Sequence, residues 1–404
     1  MLKSVIILLS LVLLASGCTR ATTESTPAPV QSAVPAASEP TPETVVDTTE
    51  TFQGINSTGL AIKVPTGFTL NTFAKDLGNP RVIVFDSNNT ALVSIPAQNK
   101  IVAIKADGSQ KTLIDKLNAP HGLAILCETL CQLYVAETNG VTQFQYNPEN
   151  VTLPIKSRIL ELPTGGRHTT RSLVIKKTEL GNKLLISIGS ACDVCIEKDK
   201  NRGTIMVADL DGRNARTFAS GLRNSVFMTE QPGTNKIWAT EMGRDFLGDE
   251  LPPDEINIVE DGKNYGWPTC YGKNVHDENF DKKIDINNPC KEPTYTPSHI
   301  DLPAHSAPLG LAFTPVSWPQ QHQNSLLVAF HGSWNRTQPT GYKIMKIALD
   351  ESGNFKSRED FLTGWLGSDG KAIGRPAGIQ FDSKSNLYIT DDKLGTIYKL
   401  SQNN

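Results

Sequence analysis

Histidine and arginine recur beside glycine-, serine- and proline-containing turns of this chain. The groups are Asn79-Pro-Arg81, Ala119-Pro-His121, Arg167-His168-Thr-Thr-Arg171, Leu222-Arg223-Asn224, His305-Ser-Ala-Pro308, His331-Gly-Ser-Trp-Asn-Arg336 and Gly374-Arg375-Pro376. A neutral imidazole can take a proton from a hydroxyl. A guanidinium stays charged, and its planar fork matches carboxylates. Together they suit the binding of a small anionic ligand.

These groups flank a phrase that recurs six times: an apolar strand of the Gly-Leu-Ala-Phe type, a turn, then a strand of the Leu-Tyr-Val-Ala type. The pairs are 82–85 with 91–94, 122–125 with 133–136, 173–175 with 184–187, 226–229 with 237–240, 310–313 with 326–329, and 378–381 with 387–390. Such a repeat predicts an all-β, six-bladed β-propeller. If the first strand of each blade descends from one face and the second climbs back, the segments before the former and after the latter share that face. His121, His168, His305 and His331 then converge there with at least five arginines, whereas His276, His299 and His322 fall outside. A cationic funnel of this kind fits a small, multiply anionic ligand. The plainer alternative is that the polar groups cap strand ends and pair with neighbouring Asp and Glu.

Residues 247–303 read as an irregular insertion between blades four and five. Asp277, Asn279 and Asp281 alternate as at the start of a calcium loop. However, Lys282 stands where the turn glycine belongs and Asn288 where a bidentate Glu belongs, so the segment reads as a solvated acidic loop.

The chain begins with Lys3, an apolar stretch over 5–14, and Leu14-Ala-Ser-Gly-Cys18. That pattern predicts a lipoprotein signal over 1–17 with Cys18 lipidated, hence export and a membrane anchor facing the periplasm or cell exterior. Thr-, Pro-, Ser- and Glu-rich residues 18–55 read as a disordered tether reaching on the order of 35 Å. The propeller is expected over 56–404. Without Cys18 the seven cysteines leave six, in the near pairs Cys127/Cys131, Cys192/Cys195 and Cys270/Cys290. Disulfides suit an exported chain, although the count alone permits about fifteen connectivities. Cys192-Asp-Val-Cys195 reads as a structural staple, since neither a helix pattern nor a haem-binding His follows. Net charge is −3 with no basic-aromatic stretch, which argues against nucleic acid.

Several motifs resemble the soluble quinoprotein sugar dehydrogenases. They are Gly166-Arg-His168-Thr-Thr-Arg171, Gly221-Leu-Arg223-Asn224, Asp254-Glu255-Ile-Asn-Ile and Asn264-Tyr-Gly-Trp-Pro268. The His305, His331–Arg336 and Gly374-Arg375-Pro segments narrow the resemblance to the sorbosone dehydrogenase-like branch. It spans about residues 60–400 and implies pyrroloquinoline quinone (PQQ) with Ca²⁺ at the top of the channel. By position, the resemblance makes His168 the general base and Arg223 the cation beside the quinone oxygen. Asn224, Arg171, Arg336 and Arg375 become cofactor contacts, and the Gly243 and Arg244 carbonyls calcium ligands. It also implies a sugar or polyol substrate and an external acceptor, such as a respiratory cytochrome or quinone. Arg167 and Arg244 depart from the sugar dehydrogenase pattern, which has aspartate and proline there. A metal-dependent lactonase or a binding propeller are the alternatives, and the absence of a Gly-x-Ser-x-Gly elbow disfavours a serine hydrolase.

Overall fold

Runs such as Ala91-Leu-Val-Ser-Ile and Ser325-Leu-Leu-Val-Ala-Phe have no polar face, and a strand of this kind must be covered on both sides. The computed structural model, which describes residues 51–179, 181–282, 288–291 and 294–403, provides that cover. The second strands Ala91–Ile95, Ile237–Glu241 and Ser325–Phe330 are buried along their whole length. Outer strands such as Thr152–Glu161 face water over much of theirs.

Among the described residues, six sheets of four or five strands form the propeller blades, antiparallel apart from the short Ile55–Asn56 pairing, and Cys270–Tyr271 with Val275–His276 make a further two-stranded sheet. Blade three, for example, comprises Arg171–Lys176, Lys183–Ile188, Thr204–Asp209 and Arg216–Ser220. Blade six takes its outer strand from the other end of the fold. Phe68–Ala74 pairs with Thr396–Gln402, Leu70 opposite Leu400, and so ties the start of the ring to its end. The apolar core is divided into six clusters, one at each blade–blade boundary.

The glycine that opens several of the repeated phrases has a steric cause. First strands crowd around the axis, and a Cβ on Gly122 would lie 2.6 Å from the Arg171 carbonyl oxygen. A Cβ on Gly378 would lie 2.1 Å from the Arg81 carbonyl oxygen.

Two boundaries differ from the sequence reading. The irregular segment lies inside blade four, because Asp254–Val259 pairs with both Ile237–Glu241 and Ile300–Leu302. The polar residues of Asp254-Glu-Ile-Asn-Ile disguise a third strand whose carboxyls are buried. Asp277 is likewise buried rather than solvated. It accepts from Arg244 Nη1 at 2.8 Å and from the Asn279 and Phe280 amides. Residues 51–55, assigned above to the tether, already contact the fold. The Gly54 amide donates to the Val64 carbonyl, and Ile55 pairs with Thr69. The signal, Cys18 and the tether up to residue 50 lie outside the described residues. Disulfides join Cys127–Cys131, Cys192–Cys195 and Cys270–Cys290.

Since the inner strands have no room for a methyl group, Gly378→Ala is expected to destabilise the fold by about 1–3 kcal/mol. Urea unfolding would read this as a lower midpoint at unchanged slope. An unchanged midpoint would mean that the blades part at no cost.

Candidate active site

The segments before the first strands and after the second strands of blades three to five meet around a cavity of about 200 Å³. It is lined by Arg167, His168, Arg223, Asn224, Met242, Gly243, Asp245, Asp254, His305, Ala307, Trp334 and Asn335. His168 immediately precedes the inner strand of blade three, and Gly189 follows its second strand. A side chain on Gly189 would press on His168 Cβ at 2.6 Å and Asn224 Oδ1 at 2.8 Å. That glycine therefore lets base and amide sit together.

The protein sets the tautomer of His168. Its Nδ1 lies 2.9 Å from Ser190 Oγ and 3.1 Å from the Ser190 carbonyl. The Ser190 hydroxyl donates its proton to the Cys192 carbonyl at 2.6 Å, so towards the imidazole it can only accept. Nδ1 therefore carries the hydrogen, and Nε2 is left as the lone-pair nitrogen. Burial lowers the His168 pKa to about 3, aided by the Arg223 and Arg167 charges. The ring is a neutral base throughout the physiological range.

Arg223 is nearly buried, its side chain 5% exposed. Nε donates to the Asp193 carbonyl at 2.9 Å and Nη2 to Asp193 Oδ1 at 2.6 Å, and Nη1 reaches the Met242 carbonyl at 3.2 Å. Nη2 also lies 3.3 Å from Asp245 Oδ2, which receives Arg167 Nη2 at 2.8 Å. Burial opposes both carboxylates. At Asp193 the Asp245 amide and the Arg223 charge outweigh it and hold the pKa low, whereas at Asp245 burial prevails and the pKa is raised.

The other sequence candidates are placed differently. Asn224 lines the cavity, its amide held by Glu241 Oε1 at 2.7 Å. Arg171 is fully buried and donates to the carbonyls of Pro163, His168 and Thr170, away from the cavity lining. Arg336 donates to the Asp249 and Ala304 carbonyls and to Glu250. Arg375 binds His331 Nδ1 and the Gly332 carbonyl and lies over the Tyr342 ring. Gly243 lines the cavity, and the neighbouring Arg244 directs its guanidinium to Asp277. The expected open cationic funnel is thus a floor of paired charges. The partners come from loops distant in sequence, because a guanidinium taken out of water requires them. Trp334 and Asn335 entered the sequence reading only as part of the 331–336 segment, and Asp193, Ser190 and Asp245 received no role in it. The position of Asp245 directly after Gly243-Arg244 was the available signal.

The residues present fit the implied groups. Asn335 donates to Asp245 at 2.8 Å, while its own buried Oδ1 has no partner among the described residues, an acceptor open to a ligand donor. Among the described residues the buried Asp254 and Glu241 carboxyls have amide and hydroxyl partners rather than cationic ones, and they flank the Gly243 loop with acceptor oxygens suited to a hard cation. Among the described residues, one set of three His, Cys, Asp or Glu side chains is close enough to share an ion: Cys192, Cys195 and Glu197. Its two sulfurs are already joined to each other.

A family model, TrAA12-like, matches residues 62–403. The chain belongs to the TrAA12-like family. An uncharacterised protein of Borreliella burgdorferi is 30% identical over 84% of this chain and 90% of its own length. A pyrroloquinoline quinone-dependent sugar dehydrogenase of Hypocrea jecorina is 23% identical over 87% of this chain and 93% of its length. Among solved structures, the holo PQQ domain of Coprinopsis cinerea pyranose dehydrogenase superimposes with a TM-score of 0.73 at 21% identity, covering 86% of this chain and all (100%) of that domain. The calcium structure of a Trichoderma reesei enzyme of carbohydrate-active family AA12 gives 0.71 at 23% identity, over 86% of this chain and 100% of that one. The resemblance to PQQ-dependent sugar dehydrogenases and the six-bladed propeller are both borne out.

Burial raises the pKa of Glu241 to about 7 and that of Asp254 to about 6. Each binds its proton more tightly folded than unfolded. The associated stability is therefore full below the unfolded carboxyl range and is lost as pH rises through about 6 to 7. The melting temperature of the metal-free protein should fall between pH 5 and pH 8, and Glu241→Gln should flatten that fall. A flat wild-type profile would contradict the assignment.

Proposed function

We propose that this chain is a PQQ-dependent dehydrogenase of a sugar, aldose or related polyol or aldehyde. One observation carries the reading: a neutral imidazole, its Nε2 lone pair unclaimed among the described residues, shares a small cavity with the guanidinium of Arg223. Family membership and relatives named as PQQ-dependent sugar dehydrogenases support it.

His168 Nε2 takes the proton of the substrate hydroxyl, as a lone pair within hydrogen-bond reach allows. Bound PQQ supplies the two-electron acceptor for the hydride leaving the same carbon, with Ca²⁺ as its polarising ion. Gly243 and Arg244 would hold the ion through main-chain oxygens, and Asn224 and Arg223 would contact the cofactor. Arg223 places a fixed positive charge where negative charge develops, and because Asp193 already orients it, no reorganisation is needed during reaction. Release of Arg336 and Arg375 from their present partners would make them carboxylate clamps. Reoxidation falls to an external cytochrome or quinone, and lipidation at Cys18 would keep the enzyme at a membrane facing the periplasm or cell exterior.

Apo-protein reconstituted with PQQ and Ca²⁺ should reduce a dye in the presence of aldoses. Absence of both a quinone spectrum and turnover would favour a binding propeller. His168→Ala should retain PQQ while turnover falls by about 10²–10⁴-fold. The acid limb of the wild-type rate profile attributable to His168 should lie near pH 3 rather than near neutrality. Cys18→Ala should release the protein from membranes; undiminished membrane association would remove the anchor from the proposal.

A further inference from the structure

Residues 192–195 belong to neither strand nor helix, yet both proposed reacting groups depend on them. We propose that this disulfide-closed turn is a positioning element, with Asp193 as the positioning residue for Arg223. The inference rests on the dehydrogenase reading above for its catalytic consequence, but not for its geometry.

Asp193 holds the guanidinium at two points, through its carbonyl to Nε at 2.9 Å and its Oδ1 to Nη2 at 2.6 Å. Main chain and side chain of one residue thus fix both the place and the plane of the fork. The same Oδ1 accepts the Asp245 amide at 2.9 Å, and the Asp193 carbonyl also receives Trp267 Nε1 at 3.3 Å. No sheet ladder holds this segment, so the Cys192–Cys195 bond limits the conformations from which the Asp193 carbonyl could leave Arg223.

The turn acts on His168 by a second route. The Cys192 carbonyl accepts the hydrogen bond of the Ser190 hydroxyl, which leaves Ser190 Oγ as an acceptor for Nδ1–H. If the Cys192 carbonyl moved away, that hydroxyl could turn and donate to Nδ1. Only the Ser190 carbonyl, at 3.1 Å, would then hold hydrogen on Nδ1, and the population with its lone pair on Nε2 towards the cavity would fall. The turn therefore aims the cation and biases the tautomer together.

The test uses the full chain, first without cofactor. In ¹⁵N NMR spectra the wild type should show an exchange-protected Arg223 Nε–H, assigned by its loss in Arg223→Lys, and a His168 protonated at Nδ1. Asp193→Ala keeps the carbonyl but removes the Oδ1 that accepts from Nη2 and from the Asp245 amide, and should therefore weaken the Arg223 Nε–H protection without abolishing it. Cys192→Ser/Cys195→Ser, or dithiothreitol treatment of the folded wild type, should in addition disturb the His168 tautomer. Loaded with PQQ and Ca²⁺, Asp193→Ala should lose about 10²-fold in kcat with KM changed by no more than about threefold. Asp193→Asn, which keeps the Oδ1 acceptor, should recover most of the loss. Unaltered Arg223 and His168 signals after reduction and in Asp193→Ala would overturn the proposal, as would wild-type kcat in the latter. A wild type that shows the signals but no turnover would sink the dehydrogenase reading and leave the positioning geometry standing.

Discussion

Arg223, Asp193, Asp245 and Arg167 form one ion cluster at the mouth of the channel, and the arrangement around His168 depends on it. A guanidinium with a side chain 5% exposed cannot remain buried and charged without partners. Asp193 supplies two contacts from one residue, and Asp245 joins Arg223 to Arg167 while receiving Asn335. Because these partners come from the loops of blades three, four and five, the cluster also cross-braces three blades at their open end. The positive charge that remains beside His168 is one reason its ring stays neutral; burial is the larger one.

The propeller makes such bracing useful. Its apolar core is split into separate inter-blade clusters, and no single interior holds the top loops in register. Ring closure through Phe68–Ala74 sets where the blades stand. Hydrogen bonds between loops decide where their side chains point. Similar bracing recurs on the far side of the mouth, where Asp392 receives both Arg81 and His331 and is held at a pKa of about 2 despite its burial. The polar residues around the channel therefore brace the fold at the place where the proposed site lies.

The resemblance found in the motifs placed His168, Arg223, Asn224 and Gly243, and all four line one cavity. Motif matching was less informative for Arg171, Arg336 and Arg375. An arginine beside a strand reads alike whether it faces a ligand or a set of carbonyls, and the partners of these three are mostly main-chain oxygens. Asp193 was overlooked because its role needs the carbonyl and carboxylate of one residue turned towards an arginine 30 positions away. The third strand of blade four was misplaced because Asp254, Glu255 and Asn257 give it a polar composition while all three are buried.

The proposed base came from the family resemblance of its motif, whereas the sequence by itself determined the number of blades, the strand phrases and the glycines that let inner strands approach the axis. These are local properties: the period of apolar residues and the steric size of one side chain are legible wherever the chain goes. Only the tertiary structure decided which charges are spent on one another, which nitrogen of His168 keeps its lone pair, and which arginines reach the cavity. Those outcomes depend on burial and on partners from other blades, and neither exists until the ring closes.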